Sequence, residues 1–107
     1  MPLRIGILGG TGLYTLGTSE PIELETPFGH VTLQRTKVGG KEAYFLPRHG
    51  PEHTVPPHKI NHRAHIEALR SAHCDYLIGV NNVGALDAKL KTNSFAVTRD
   101  FLDYHRT

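Results

Sequence analysis

The stretch ILGGTGLYTLG, residues 7–17, continues an apolar run at residues 3–8 into three glycines around a threonine. We predict a strand over residues 3–8 that ends in a glycine loop, where backbone N–H groups are unshielded and can hold an anion. The alternative is a tight turn in which glycine serves only a positive φ. The dinucleotide fingerprint G-x-G-x-x-G is excluded because Thr15 stands at the third glycine position counted from Gly10. The nucleotide P-loop is excluded because no Gly-Lys-Ser/Thr follows.

The rest of the chain predicts strands and a helix. The alternation of residues 31–38 followed by the glycine pair Gly39 and Gly40 indicates a β-hairpin, and Pro57 suits the first turn of a helix. The predicted elements after the glycine loop are strands at residues 31–38, 42–46, 75–80 (buried) and 94–102, and a helix at 57–72. This order is typical of the α/β class. Because such a sheet needs cover on both faces and the chain has one long helix, the sequence indicates half of a larger unit.

The composition is that of a small soluble globular chain. At 107 residues, with 38% hydrophobic and 21% charged residues, the chain can form one domain with a single core. The formal charge of +2 is too small to favour a nucleic-acid partner, and no apolar run approaches the roughly 20 residues that cross a membrane. The N-terminus lacks the features of a signal peptide, and the single cysteine, Cys74, cannot form an intramolecular disulfide. We therefore expect a cytoplasmic location.

Polar residues also follow two further predicted strands. Arg48 and His49, in LPRHG, come directly after one apolar strand, and Asn81 and Asn82 come directly after the buried one. Arginine offers a planar fork that matches two phosphate oxygens, and a neighbouring histidine can donate another hydrogen bond. Ligands of α/β sheets collect beyond the carboxyl ends of the strands. Together with the glycine loop, these residues favour one oxyanion site over the alternative, a solvated loop with a surface arginine.

Histidines are frequent, with eight in 107 residues, and three of them recur along the predicted helix. His58, His62 and His65 follow an i, i+4, i+7 pattern and fall within an arc of about 60° on one helix face. The pattern permits a three-histidine metal site, but no H-E-x-x-H motif is present and Glu67 points away from the arc. We predict packed or interface histidines and no metal. Cys74 is predicted to be a small buried residue at the helix end.

Four stretches carry a family resemblance that covers nearly the whole chain. IGILGGTGL, ETPFG, RHGPEHTVPPHKINHRAHIEAL and VNNVGAL follow one another at the spacing of the methylthioadenosine phosphorylases. The chain resembles in particular the bacterial methylthioinosine phosphorylase-like branch of the purine nucleoside phosphorylase family. The resemblance implies a doubly wound mixed sheet with flanking helices, a homotrimer, a cytoplasmic enzyme of purine salvage, and no metal or cofactor. Members are pentosyltransferases that use phosphate to cleave a purine nucleoside, releasing the base and (5-methylthio)ribose 1-phosphate.

The resemblance also implies roles for individual residues. The implied phosphate-binding residues are Thr11, Arg48, His49, Asn81 and Asn82, supported by the loop glycines Gly9, Gly10 and Gly12. The threonine would contribute its hydroxyl, the glycines their N–H groups, and the Arg-His pair and the asparagines the remaining contacts. No residue of this chain matches the catalytic group that assists the departing purine.

The sequence departs from the family in length and in several motifs. Family members are much longer, so residues 1–107 correspond to the N-terminal, phosphate-binding part of a single nucleoside phosphorylase domain. His62 and His65 replace a tyrosine and an asparagine of the family helix, and Asn82 stands where a small residue is usual. Two hypotheses follow. The first is a phosphorylase of 5′-methylthioadenosine, 5′-methylthioinosine or a related purine nucleoside, and the second is a non-catalytic remnant that binds phosphate or a partner chain.

Overall fold

Five strands form one mixed sheet in the computed structural model, which describes residues 3–10, 19–50 and 54–104. The strands are β1 Ile5–Gly9, β2 Glu20–Thr26, β3 Gly29–Val38, β4 Lys41–Pro47 and β5 Tyr76–Val80, and one α-helix, α1 His62–Ser71, precedes β5. Their order in the sheet is β2-β3-β4-β1-β5. β1 pairs in parallel with β4 and β5, whereas β3 pairs antiparallel with β2 and β4. The predicted α/β class with a mixed sheet is confirmed.

The β3–β4 hairpin forms where the glycine pair predicts it. Gly39 and Gly40 have φ angles of 57° and 78°, the positive values that a two-residue hairpin turn of type I′ requires at both central positions. The two strands are antiparallel neighbours, and residues 43–47 of β4 are all buried. This continuous burial is expected for the central strand of the five.

β2, Glu20–Thr26, is absent from the sequence-based prediction. The segment contains Pro21 and three glutamates, which are residue types depleted in strands, so it carries no strand pattern. It forms because it pairs with β3 along its whole length and lies at the edge of the sheet, where proline is tolerated. Ile22 and Leu24 pack against the core while the glutamates stay exposed. Tertiary pairing therefore overrides a weak local preference.

The core lies between α1 and one face of the sheet. Its buried members come from β3, β4 and α1, and they are Val31, Leu33, Tyr44, Leu46, Ala64, Ala68 and Leu69. The three helix residues recur at helical spacing, so one face of α1 meets the sheet. Two of the three are alanines, which let the helix lie close to β2 and β3. The apolar side of this amphipathic helix thus covers one face of the sheet.

The predicted helix at residues 57–72 is in fact two elements. Pro57–Lys59 forms a 3-10 turn, and α1 begins only after Asn61. The side-chain oxygen of Asn61 accepts a hydrogen bond from the Ala64 N–H at 3.2 Å, and its amide donates to the Phe28 carbonyl oxygen at 2.8 Å. Asparagine is a strong helix N-cap, so it starts α1 later than Pro57 suggests. No helix among the described residues is long and apolar enough to cross a membrane.

β5 lies at the edge of the sheet and is largely exposed, whereas the sequence predicts a buried strand at residues 75–80. Its start is fixed beside β1 by two hydrogen bonds: the Asp75 N–H donates to the Arg4 carbonyl oxygen at 2.8 Å, and the Arg4 N–H donates to Asp75 Oδ2 at 2.9 Å. Tyr76, Leu77 and Ile78 are nevertheless 63%, 43% and 48% exposed. Among the described residues no strand pairs with the outer side of β5. The apolar run therefore forms a strand, as predicted, but no described element buries it.

The predicted last strand at residues 94–102 is wrong. Residues 81–104 contain no helix or strand, and Phe95 and Val97 are each 98% exposed. An alternating apolar pattern suggests a strand, but a strand forms only where a neighbour satisfies its N–H and C=O groups. The described part of the chain offers residues 94–102 no such neighbour.

Cys74 lies between α1 and β5 and packs, partly buried, against the core, close to its predicted environment. Burial raises the pKa of its thiol. Because the thiolate is the reactive form, a raised pKa makes this cysteine a poor nucleophile at neutral pH.

Candidate anion-binding site

Three strand ends meet at one edge of the sheet. β1 lies between β4 and β5, and Gly9 is the register partner of Pro47 on one side and of Val80 on the other. The residues that follow these three therefore leave the sheet side by side. The Arg48 N–H donates to the Gly9 carbonyl oxygen at 2.8 Å, which extends the pairing of β1 with β4 to the strand end. This carboxyl-terminal edge is where ligands bind in open α/β sheets.

The Arg48 side chain lies against Gly10. A Cβ placed on Gly10 would be 2.2 Å from Nη2 of Arg48 and 3.0 Å from the Val80 carbonyl oxygen, so the guanidinium occupies space that only glycine leaves open. Nε of Arg48 is buried and has no hydrogen-bond partner among the described residues. Buried polar groups of this kind normally have a partner. Arg48 is therefore not the solvated surface arginine of the alternative interpretation.

His49 is held by two hydrogen bonds to Val55. The Val55 N–H donates to the His49 carbonyl oxygen at 2.9 Å, and Nδ1 of the His49 ring lies 2.9 Å from the Val55 carbonyl oxygen. Because a carbonyl oxygen only accepts, Nδ1 is the donor in that bond. Val55 was not predicted as part of the site, since a partner that acts through its main chain leaves no signature in residue type.

Two further predicted site residues lie at the end of β5. Asn81 and Asn82 follow β5 at the same edge of the sheet and are exposed. Their carboxamides can each donate or accept a hydrogen bond. Thr11 and Gly12 lie outside the described residues, so their contacts stay predictions. The described groups at this edge thus include one permanent cation and several hydrogen-bonding groups, which is a composition that suits an oxyanion.

Two surface depressions lie away from the strand ends. One of about 370 Å³ lies beside α1 and is lined by Phe28, His62, Arg63, Ile66 and Glu67. The other, of about 660 Å³, is lined by Ser19, Glu20, Arg35, Thr36, Lys37 and Glu42. In the second, the Arg35 guanidinium already pairs with the Glu20 carboxylate at 2.8 Å. Neither depression includes a predicted site residue, so the strand ends are identified by their chemistry and not by concavity.

The three histidines of the predicted helix do not share one helical face. His58 lies in the 3-10 turn, whereas His62 and His65 lie in α1. Burial, and then the charge of His62, lowers the pKa of His65. The Nδ1 atom of His65 is buried without a hydrogen-bond partner among the described residues. Within residues 3–10, 19–50 and 54–104, no group of three His, Cys, Asp or Glu side chains could hold a metal ion.

Stoichiometric zinc is expected to leave the melting temperature of the chain unchanged. A metal ion that bound only the folded state would raise the melting temperature by mass action. The measurement is a thermal melt followed by circular dichroism, with and without zinc. The double variant His62→Ala and His65→Ala is the control. A zinc-dependent rise that this variant loses would contradict the prediction and restore the metal hypothesis.

An ion-pair network lies on the exposed surface of the β2–β3 hairpin. Nδ1 of His30 lies 2.5 Å from a Glu25 carboxylate oxygen, and Nε2 contacts Glu23. The hydrogen bonds to Glu25 and then Glu23 raise the pKa of His30. The hydrogen bonds from Thr32 and then His30 lower the pKa of Glu23. Both shifts favour the charged pair.

The His30 network is expected to make the stability of the hairpin depend on pH in two directions. The raised pKa of His30 adds stability that is complete below the ordinary value of 6.5 and is lost as the pH rises through the raised value. The lowered pKa of Glu23 adds stability that is complete above 4.5 and is lost as the pH falls through the lowered value. The melting-temperature difference between wild type and His30→Gln should therefore be largest between about pH 4.5 and 6.5. The control Lys37→Gln, on the same strand, should show no such dependence, and a flat profile for His30→Gln would refute the network.

Known proteins are similar to this chain both in sequence and in fold. A family model described as the Phosphorylase superfamily matches residues 4–107. The chain belongs to this superfamily. The S-methyl-5′-thioadenosine phosphorylase of Saccharolobus solfataricus is 42% identical over 104 residues, which cover 92% of this chain and 38% of that relative. The probable 6-oxopurine nucleoside phosphorylase of Korarchaeum cryptofilum is 39% identical over 102 residues, which cover 94% of this chain and 38% of that relative.

Solved structures agree with this assignment to the superfamily. The methylthioadenosine phosphorylase from Schistosoma mansoni in complex with adenine has a TM-score of 0.74 and 33% sequence identity, over 83% of this chain and 34% of that one. The nucleoside phosphorylase-like fold that the sequence resemblance implies is therefore confirmed. The chain spans about two fifths of the length of the curated relatives it matches.

Proposed function

We propose that this superfamily member is the phosphate-binding part of a purine nucleoside phosphorylase. The reaction is phosphorolysis of 5′-methylthioadenosine, 5′-methylthioinosine or a related purine nucleoside to the free base and (methylthio)ribose 1-phosphate. The observation that carries the proposal is the Arg48 guanidinium lying against Gly10 at the joined ends of β1, β4 and β5. The activities named for the relatives support the substrate class.

Phosphate binding is the task of the strand-end residues. Arg48 meets two phosphate oxygens with its planar fork, and its unpartnered Nε has a further hydrogen to share. The N–H groups of the glycine loop and the hydroxyl of Thr11 add neutral donors. His49 lies next to Arg48 at the same strand end, and Asn81 and Asn82 approach from β5. Several donors that converge on one dianion hold the nucleophile in a fixed place.

A fixed phosphate promotes cleavage of the glycosidic bond in two ways. It stands next to the sugar carbon that it attacks, so that much of the entropic cost of bringing the reactants together is met on binding. Its negative charge also stabilises the oxocarbenium-like sugar as the bond to the purine breaks. The phosphate oxygen forms the new bond to the sugar carbon, and the purine leaves with the electron pair of the old bond. Phosphate is a co-substrate, and the step needs no cofactor.

We further propose the assembly and the setting that the resemblance implies. The active form is a homo-oligomer, a trimer by resemblance, that works in the cytoplasm in purine salvage. Sedimentation equilibrium of the active complex tests the trimer, since each subunit number gives a distinct mass.

A phosphorolysis assay tests the proposed reaction. The chain is combined with a polypeptide that corresponds to the unmatched part of the Saccharolobus solfataricus relative, and the complex is given methylthioadenosine, methylthioinosine or inosine. Base release is followed by chromatography with and without phosphate. We expect release from at least one nucleoside, only with phosphate, and much slower release in the Arg48→Ala complex.

A second candidate function is a non-catalytic protein that binds phosphate or a partner chain. It rests on the same strand-end residues, with the Arg48 guanidinium against Gly10, which suit an oxyanion whether or not a reaction follows. A folded complex that binds phosphate and leaves all three nucleosides intact would support this candidate.

A further inference from the structure

Asn61 uses both ends of its side-chain amide. Its Oδ1 accepts a hydrogen bond from the Ala64 N–H at 3.2 Å, which caps α1, and its Nδ2 donates to the Phe28 carbonyl oxygen at 2.8 Å. Only the acceptor is needed to cap a helix, since serine and aspartate, which have no amide nitrogen in the side chain, cap helices about equally well. The bond to Phe28 is therefore additional to capping, and it joins α1 to a turn 33 residues away in the chain.

The turn that contains Phe28 is a fixed point of attachment. The hydroxyl of Thr26 accepts a hydrogen bond from the Phe28 N–H at 3.1 Å and donates to the Gly29 carbonyl oxygen at 2.6 Å. A side chain that bonds the nearby main chain in this way stabilises a turn. β2, which ends at this turn, runs in the same direction as β4, because each is antiparallel to β3. The turn therefore lies at the same edge of the sheet as the end of β4, where Arg48 follows.

The segment from Arg48 to Asn61 joins β4 to α1 and is attached to the sheet at both ends. At its start the Arg48 N–H donates to the Gly9 carbonyl oxygen at 2.8 Å. At its end the 3-10 turn Pro57–Lys59 leads into Asn61, which donates to the Phe28 carbonyl oxygen. A segment that is ordered before a ligand arrives binds the ligand more tightly, because the free-energy cost of ordering the segment does not fall on binding.

We propose that Asn61 is a positioning residue for the anion site, whose bond to the Phe28 carbonyl oxygen orders the segment that begins at Arg48. The inference rests on the proposed function, in which phosphate binds at the ends of β1, β4 and β5. In this scheme Asn61 acts on the phosphate only through the segment and not by direct contact. Loss of the bond therefore weakens phosphate binding although every proposed phosphate-binding residue is still present.

Two substitutions disturb the bond from opposite sides. Asn61→Ser keeps a side-chain oxygen that can cap α1, but its shorter side chain has no amide nitrogen to reach Phe28. Gly29→Ala leaves Asn61 in place, but the new Cβ would lie 3.1 Å from Nδ2 of Asn61, and the φ of 137° at this position is strained for alanine. Gly40→Ala is the matched control in the other turn of β3. It introduces the same kind of strain, at a φ of 78°, and a Cβ there meets no atom within 4 Å.

Calorimetric titration of the full 107-residue chain with inorganic phosphate tests the proposal, and thermal melts followed by circular dichroism check that each variant is folded at the titration temperature. Asn61→Ser and Gly29→Ala are each expected to weaken phosphate binding about three- to tenfold, at most the value of one hydrogen bond between neutral groups. Gly40→Ala should stay within about twofold of wild type. The double variant of Asn61→Ser and Gly29→Ala should bind no more weakly than the weaker of the two single variants, because both changes break the same bond. A purely structural role for Asn61 would lower the melting temperature without changing the phosphate affinity of the folded protein.

The outcomes separate this inference from the proposed function. A folded Asn61→Ser variant that binds phosphate as tightly as wild type overturns the positioning role and leaves the phosphate site intact. Equal weakening by Gly29→Ala and Gly40→Ala also overturns it, because strain in either turn of β3 would then be the cause. If Gly29→Ala does not fold, the result for Asn61→Ser decides alone. If wild type binds no phosphate, the proposed phosphate site falls and this inference falls with it.

Discussion

Replacing Arg48 with alanine is expected to weaken phosphate binding by about 1.5–3 kcal/mol, the range for a hydrogen bond to a charged group. Among the described residues at the strand ends, Arg48 carries the permanent positive charge, and its guanidinium lies against Gly10. Arg48→Lys should recover only part of the loss, because an ammonium group cannot reproduce the two-pronged contact of the fork. Calorimetric titration with phosphate measures both variants. Unchanged affinity in Arg48→Ala would remove Arg48 from the site.

Gly10→Ala offers a second route to the same site without changing any charge. The added Cβ would lie 2.2 Å from Nη2 of Arg48, so the guanidinium has to move, and 3.0 Å from the Val80 carbonyl oxygen. Phosphate affinity should fall although Arg48 is still present. Gly79→Ala is the matched control, because a Cβ at Gly79 meets no atom within 4 Å. Equal affinity in the two glycine variants would mean that the observed place of the guanidinium is not its place in the anion complex.

Local signals in the sequence are sufficient for part of this fold. The glycine pair Gly39 and Gly40 determines a hairpin because few other residues take positive φ at both central positions. The apolar runs of β1 and β4 are recognisable because these strands are covered by neighbours on both sides. Where the residue type alone dictates a conformation, or where burial is provided within the chain, sequence and structure agree.

The errors arise where tertiary context decides. β2 was not predicted because Pro21 and its glutamates oppose a strand, and only pairing with β3 makes it one. Residues 94–102 have a strand pattern but no neighbour among the described residues to pair with. The late start of α1 depends on Asn61, whose cap also binds the β2–β3 turn through Phe28. Each case requires knowledge of a contact distant in sequence.

The candidate site, like the fold, was predictable only where residue type and position along the chain carry the signal. Residue types at the ends of apolar runs suggested Gly10, Arg48 and Asn81, because parallel strands bring their carboxyl ends to one edge. The bond from the His49 ring to the Val55 carbonyl oxygen was not predictable, since a main-chain partner leaves no signature in residue type. The close approach of the Arg48 guanidinium to Gly10 becomes visible only once the strand ends are placed side by side.

The isolated 107-residue chain is expected to self-associate and to show no measurable phosphorolysis. Three large side chains of β5 are 43–63% exposed, and Phe95, Val97 and Phe101 beyond it are 80–98% exposed. An edge strand without charged residues or proline, as in YLIGV, readily pairs with another chain. Light scattering coupled to gel filtration measures the association. A monodisperse monomer would contradict the prediction.

Two lysine substitutions identify the surface responsible. Ile78→Lys places a charge on the β5 edge and should reduce self-association. Ile66→Lys places the same charge on the outer face of α1, at a side chain with nearly the same exposure, 49% against 48%. The second variant should associate as wild type does. Equal behaviour of the two variants would exclude β5 as the contact surface.

Activity is expected to return when the chain is combined with a polypeptide that corresponds to the unmatched part of a relative such as the Saccharolobus solfataricus enzyme. That relative is 42% identical over the matched region, which is only 38% of its length, so the larger part of its chain has no counterpart here. Two contributions are needed from that part: cover for the exposed β5, and a group that protonates or stabilises the departing purine. The first should make the complex monodisperse, and the second should give phosphate-dependent base release.

Because Ile78→Lys disrupts the same edge, it should impair complementation while Ile66→Lys should not. Turnover of methylthioinosine by the 107-residue chain alone would refute the requirement for a second polypeptide. A monodisperse complex that binds phosphate without cleaving any nucleoside would instead separate the fold and the phosphate site from catalysis.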